Sequence, residues 1–171
     1  MTERKSGLSA LAQSALSTQE KLAPVRTADK SFLIGLPREI ALQEKRITLT
    51  PDAVALLVNN GHQVMLETRA GKGSNFPDRA YTEAGATIAY TPEEVYKADI
   101  ILKVEPPTLA EIDLMKAGQT LVSALQPGHL EAEYLHRLNS RRVTALAWEF
   151  IEDNGGGMPV IRVDRKSTRL N

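Results

Sequence analysis

Cysteine is absent from the 171 residues, so disulfides and thiolate metal sites are excluded. Histidine is scarce. His62, His129 and His136 lack helical ligand spacing, which argues against zinc. Net charge is absent too, with 21 basic and 21 acidic residues. Without a broad positive field, nonspecific nucleic-acid binding is not expected. No apolar run approaches the roughly 20 residues needed to cross a bilayer. The opening MTERKSGLSALAQSALSTQEKL lacks the apolar core of a secretory signal. These absences predict a cytoplasmic chain with no membrane insertion. A dinucleotide fingerprint is missing as well. After Gly71 and Gly73, Phe76 holds the place of a third glycine, and the Gly71-Lys72-Gly73-Ser74 stretch lacks P-loop spacing. Gly155-Gly156-Gly157 reads as a flexible hairpin tip.

What is present reads as one soluble domain with two appendages. Residues 1–31 are expected to form a short amphipathic arm, with Leu8, Leu11, Ala15 and Leu16 on one face, and a polar linker. From Phe32 onward, strand and helix signals alternate. Ser31–Leu36 is a short apolar run, and Pro37 to Thr50 is a charged loop. Thr50 is placed as an N-cap, with Pro51 at the first helical position and Asp52 beside the positive helix end. Gly61 stops that helix, and Gln63–Glu67 is the next strand. The pattern recurs: a helix from Asp78 to Ala84, the strand Thr87–Tyr90, a helix starting at Thr91-Pro92, and the strand Asp99–Val104. Thr108 and Glu111 form a capping box for a helix expected to run to Gly118. Strand 119–125, helix 131–140 and strand 143–148 follow. Short connections between alternating elements predict an α/β fold. Its sheet should be mostly parallel, with helices on both faces, in the Rossmann-like or flavodoxin-like manner.

Some polar residues stand where chemistry is possible. Arg46 lies in a loop just beyond a strand end and before a capped helix, where open α/β folds bind ligands. A guanidinium there can grip a carboxylate through two parallel hydrogen bonds, or simply stand in solvent. Lys103 interrupts an apolar strand near its C-terminal end. Buried lysines are almost always paired, so it either leaves the sheet edge for water or donates to a substrate carbonyl. Glu39 either braces the arginine loop or is exposed. His62 reads as a helix-terminal or hydrogen-bonded core residue.

The stretch Gly35-Leu36-Pro37-Arg38-Glu39, continued by Glu44-Lys45-Arg46-Ile47-Thr48-Leu49-Thr50-Pro51 and closed by Gly61-His62, resembles the N-terminal signature of the alanine dehydrogenase and pyridine-nucleotide transhydrogenase family. Further segments resemble the family as well: Glu67 to Ser74, Tyr81 to Ala86, Ala98 to Val104 with Pro106, and Ala145 to Glu149. The resemblance spans residues 32–162. It implies that Arg46 holds a keto-acid carboxylate and that Lys103 contacts the keto acid as a catalytic group. It also places Gln126 where alanine dehydrogenases carry a catalytic histidine and the transhydrogenase α subunit carries a glutamine. The activity implied is reversible conversion of L-alanine, NAD and water to pyruvate, ammonia and NADH by a homo-oligomer. NAD would bind a following domain rather than this chain, which would be inactive alone. With glutamine at position 126, Lys103 is expected to handle the proton rather than His129. The alternatives are a transhydrogenase α subunit, which docks on a membrane partner, a lysine-forming saccharopine dehydrogenase, and a non-catalytic small-acid-binding or oligomerisation module. One departure from the family is the tail 163–171, VDRKSTRLN, which reads as a foreign end on a truncated, discontinuous domain.

Overall fold

The computed structural model describes residues 30–126 and 131–152. The expected N-terminal arm, His129, the glycine run 155–157 and the tail 163–171 lie outside them. The described residues form a six-stranded sheet, all of whose pairings are parallel. Its strands are β1 (Leu33–Leu36), β2 (Gln63–Glu67), β3 (Thr87–Ala89), β4 (Ile100–Leu102), β5 (Thr120–Ser123) and β6 (Thr144–Ala147). The helices between them are α1 (Pro51–Asn59), α2 (Asp78–Glu83), α3 (Pro92–Val95), α4 (Leu109–Leu114) and α5 (Ala132–Ser140).

The strand order is β3-β2-β1-β4-β5-β6. The chain builds outward from β1 in one direction, then returns to β1's other side with β4. The C-terminal ends of β1 and β4 therefore flank the point where the order reverses, the usual crevice of such sheets.

Alternation along each strand sends side chains to two cores. Ile34 and Leu36 of β1 join Val54 of α1, Val64, Leu66 and Tyr81 of α2 on one face. Ile101 of β4 joins Ile112 of α4, Leu121, Tyr134 and Leu138 of α5 on the other. Helices thus cover both faces, as the alternating sequence predicts.

Local signals set most element ends. Thr50 accepts the Ala53 N–H at 3.4 Å, and Pro51 opens α1. Gly61 and Gly85 follow α1 and α2 with φ of +87° and +93°, a conformation glycine adopts without strain. The Thr108–Glu111 capping box is formed on both sides.

Several boundaries differ from expectation: β4 spans Ile100–Leu102 rather than 99–104, β5 Thr120–Ser123 rather than 119–125, and two further ends have a visible cause. Helix α4 ends at Leu114, not near Gly118, because Met115 turns extended (φ −75°, ψ 151°) and is 2% exposed in the core. Gln119 then donates to the carbonyls of Tyr96 and Ala98 at 2.7 and 2.5 Å, satisfying buried acceptors at the start of β5. β6 stops at Ala147, and Trp148 opens a 3-10 turn in which its indole N–H donates to the Lys103 carbonyl at 2.8 Å. At that end of the molecule Leu135, Leu146 and Phe150 are exposed.

Gly35 sets the spacing between β1 and the segment after α3. A Cβ there would lie 2.7 Å from the Val95 carbonyl oxygen and 3.0 Å from both Ala98 Cβ and Ile101 Cδ1. The Val95 oxygen is main chain and cannot swing away. Gly35→Ala should therefore destabilise the fold by about 1–3 kcal/mol. A lowered urea midpoint at unchanged m-value checks this, and an unchanged midpoint would refute the close approach.

Candidate functional site

Lys103 directly follows β4, and its N–H still pairs with the Val122 carbonyl at 3.0 Å. Strand alternation gives it the same face as Ile101, beneath α4. Its side chain is 1% exposed. Of the two fates open to it from sequence, water is not the one adopted. The ammonium donates to Glu111 Oε1 at 2.9 Å and stands 3.4 Å from Glu39 Oε2. A buried charge requires such compensation.

Glu111 performs two tasks from the first turn of α4. Its Oε2 completes the capping box, accepting the Thr108 N–H at 2.7 Å and the Thr108 hydroxyl at 3.0 Å. Its Oε1 accepts from Lys103 and from the Tyr96 hydroxyl, both at 2.9 Å. Burial alone would raise its pKa, but the Thr108 N–H, the Lys103 ammonium and the Tyr96 hydroxyl hold it below the usual carboxylate range. The Tyr96 hydroxyl is pushed far up by burial and by the adjacent Glu111 charge.

Glu39 reaches into the crevice from the loop after β1. Its Oε1 accepts the Val104 N–H at 2.6 Å, which ties that loop to the end of β4. Burial raises its carboxyl above the usual range, against the pull of Lys103 and the N–H groups of Val104 and Glu105. The Glu39–Lys103 pair therefore sits at the switch point of the sheet.

Arg46 occupies the same loop, at its far end. Its guanidinium is 71% exposed. It engages Glu44 as a fork, Nε to Oε1 at 2.9 Å and Nη2 to Oε2 at 2.5 Å, with Glu105 Oε1 at 3.7 Å. The hydrogen bonds from Arg46 lower the Glu44 carboxyl to about 2. The neighbouring Gly71-Lys72-Gly73-Ser74 stretch is a strut for this loop. The Ser74 hydroxyl donates to the Lys45 carbonyl at 2.7 Å, and a Cβ on Gly73 would lie 2.7 Å from that same oxygen. The structure brings Arg46 and Lys103 to one edge of the sheet, linked through Glu39, Val104 and Glu105, each already facing a carboxylate.

Gln126 lies three residues beyond β5, at the same edge, with φ of 45°. Its backbone N–H donates to Glu149 Oε1, and its side chain is exposed. The other Glu149 oxygen is buried without a partner. His62 lies at the opposite end of the sheet, where its Nδ1 accepts the Phe32 N–H at 3.4 Å. A separate, mostly apolar groove of about 390 Å³, lined by Leu33, Met65, Ile88 and Tyr90 among others, shares no residue with the acidic edge.

Sequence reasoning missed Glu111, Tyr96 and Glu149 as members of this edge. A lysine amid apolar residues signals that a carboxylate must be near, but not which one. The capping box already accounted for Glu111, and nothing in the sequence suggested a second task.

In this strand order a dinucleotide pyrophosphate would need a glycine-rich turn after β1 leading straight into a helix N-terminus. Here that turn is Pro37-Arg38-Glu39, fourteen positions separate β1 from α1 (37–50), and Glu39 fills the crevice. The described residues do not fit a dinucleotide. No group of His, Cys, Asp and Glu among them could hold a metal ion, and none of their helices is long and apolar enough to cross a membrane.

Fold and edge together define a Rossmann-like α/β domain with a buried cation at the point where the strand order reverses. Residues 35–164 match the family described as alanine dehydrogenase/PNT, N-terminal domain, and the chain belongs to that family. It is 39% identical over 132 residues to an alanine dehydrogenase of Bacillus subtilis (strain 168), covering 76% of this chain and 34% of the relative. An alanine dehydrogenase 2 of Staphylococcus aureus (strain USA300) is 37% identical over 128 residues, covering 75% and 34%. A solved L-alanine dehydrogenase superposes with a TM-score of 0.71 at 36% identity, covering 74% of this chain and 35% of that one. A solved transhydrogenase from Sinorhizobium meliloti gives a TM-score of 0.64 at 30% identity, covering 68% and 35%. The chain spans about a third of the length of the curated relatives it matches.

The lowered pKa of Glu111 fixes a pH dependence. A depressed carboxyl contributes stability above its ordinary value of 4.5, and that contribution is lost as pH falls through the folded value. Glu111→Gln should lower the urea midpoint at neutral pH, with the gap to wild type closing in acid. A gap of constant size from neutral pH into acid would contradict the assignment.

Proposed function

We propose that this chain supplies the substrate-binding part of an NAD-dependent alanine dehydrogenase, which converts L-alanine, NAD and water to pyruvate, ammonia and NADH. The observation that carries this reading is the Lys103 ammonium buried at the switch point between two carboxylates. Three N–H bonds radiate from that nitrogen. One is committed to Glu111, and Glu39 is held loosely enough for a keto-acid carbonyl to take its place. Donation to that oxygen withdraws electron density from the carbonyl carbon.

Arg46 supports the reading by its geometry. Its fork on Glu44 is the pattern in which a guanidinium binds any carboxylate, so a keto acid would exchange with Glu44. The NAD site is assigned to the part of the relatives' length that this chain does not span. The working form would be a cytoplasmic homo-oligomer whose partner is a small acid.

A second reading, a transhydrogenase α subunit, is favoured by Gln126. An amide donates and accepts hydrogen bonds but does not titrate near neutral pH, unlike a histidine. A non-catalytic module that binds small acids is the reading from a different class. A coupled alanine assay and a nucleotide-to-nucleotide hydride assay on the full-length protein, with a pyruvate titration of this chain, separate the three.

In the full-length enzyme, Lys103→Ala should lower kcat/KM for alanine about a hundredfold, roughly 2.7 kcal/mol. A loss under tenfold, measured per folded enzyme at a temperature below the variant's unfolding, would remove Lys103 from the chemistry. Glu44→Gln should tighten pyruvate binding by about fivefold, because a pair whose guanidinium stands in solvent while its carboxylate side chain is buried competes with about 1 kcal/mol. Calorimetric titration measures it, and weaker binding would show that Glu44 helps rather than competes.

A further inference from the structure

The crevice holds two carboxylates for one ammonium. With all three ionised, the buried cluster carries one uncompensated negative charge, and a single proton neutralises it. The hydrogen bonds show where that proton belongs. Both oxygens of Glu111 are filled, by Lys103 and Tyr96 on one side and by Thr108 on the other. Of Glu39, one oxygen accepts the Val104 N–H, while Oε2 is buried without a hydrogen-bond donor and faces Lys103 at 3.4 Å.

We propose that Glu39 is the proton-holding partner of Lys103, with Glu111 as the fixed counter-ion, so that Glu39 is a positioning residue setting the protonation of the lysine head. Its catalytic consequence rests on the reading of Lys103 as the substrate contact. The assignment of the proton does not. The exchange conserves charge. Starting from the fully ionised cluster, with its one excess negative charge, a proton leaves Lys103 Nζ for Glu39 Oε2, the N–H bond breaks, and its electron pair stays on nitrogen. An O–H bond forms, and an ammonium–carboxylate pair becomes an amine–acid pair, with zero net charge before and after. The freed amine can then take a proton from a bound substrate, which leaves Lys103 an ammonium, Glu39 the acid and the cluster neutral; a glutamine at position 126 cannot take up that proton.

The charged groups facing Glu39 are Lys103 from the end of β4, Glu111 from α4 behind it, and Arg46 across its own loop. The Tyr96 hydroxyl donates to Glu111 and leaves Glu39 unserved. Burial acts in the same direction, raising the Glu39 carboxyl while Glu111 is held down.

Two backbone amides report the two carboxylates separately: Val104 N–H is bonded to Glu39, and Thr108 N–H to Glu111. An NMR titration of this chain follows both. The Val104 amide should shift with a midpoint above 4.5 and the Thr108 amide with one below it, 4.5 being the ordinary glutamate value. Glu39→Gln should abolish the Val104 step and leave the Thr108 step. A Val104 midpoint at or below that of Thr108, or a step that survives Glu39→Gln, would overturn the proposal. The wild-type titration decides the order even if that variant fails to fold.

In the full-length enzyme, Glu39→Gln should remove one limb of the pH profile of kcat/KM for alanine. A uniform loss with the limb in place would make Glu39 merely structural. If the wild-type protein turns over no alanine while the Val104 step appears as expected, the alanine reading fails and the proton assignment stands.

Discussion

A lysine ammonium taken out of water is the constraint around which this domain is arranged. Its desolvation costs several kcal/mol after relaxation, and only close opposite charge offsets that. The offsetting groups come from separate parts of the chain. Glu39 arrives from the loop after β1 and Glu111 from α4, while Trp148, from the end of β6, separately fixes the backbone by donating to the Lys103 carbonyl. Each contact crosses from one element to another, so the ion cluster also specifies how the elements meet. At the other end of these strands, the close approach at Gly35 and the buried amide of Gln119 bring the segment after α3 tight against β1 and β5.

The edge that results is rich in acid. Glu67 at the end of β2 accepts the Arg38 N–H at 2.9 Å, and Glu149 after β6 accepts from Gln126. Glu44 grips Arg46. Carboxylates therefore already occupy its cationic and N–H donors, and an edge of that charge opposes polyanions. This agrees with the lack of a phosphate cradle after β1.

Most of the fold was legible because its signals are local. Thr50-Pro51, the Thr108–Glu111 box and the glycines after α1 and α2 depend only on near neighbours, and alternation of strand and helix implied a parallel sheet. The end of α4 was not legible, since Met115 leaves the helix to fill a core built from distant residues. Arg46, Lys103, Glu39 and Gln126 could be singled out because each is polar where the pattern is apolar or recurs in the family signature. Their partners could not. Glu111 looked fully explained as a cap, and Tyr96 as an aromatic in a core. A sequence displays one role per residue most plainly, whereas packing can assign a second.

The shared hydrogen bonds of Lys103, Glu39 and Glu111 also bear on how this sequence can change over generations. Removing one member of a buried charge cluster strands the others, at about 3–5 kcal/mol, which is much of a small domain's net stability. Replacing all members with apolar residues of similar volume is often neutral. The route between the two states passes through unfit intermediates, because the effects of residues in contact do not add. Drift at any one of these positions is conditional on the other two, and the cluster is inherited or lost as a unit.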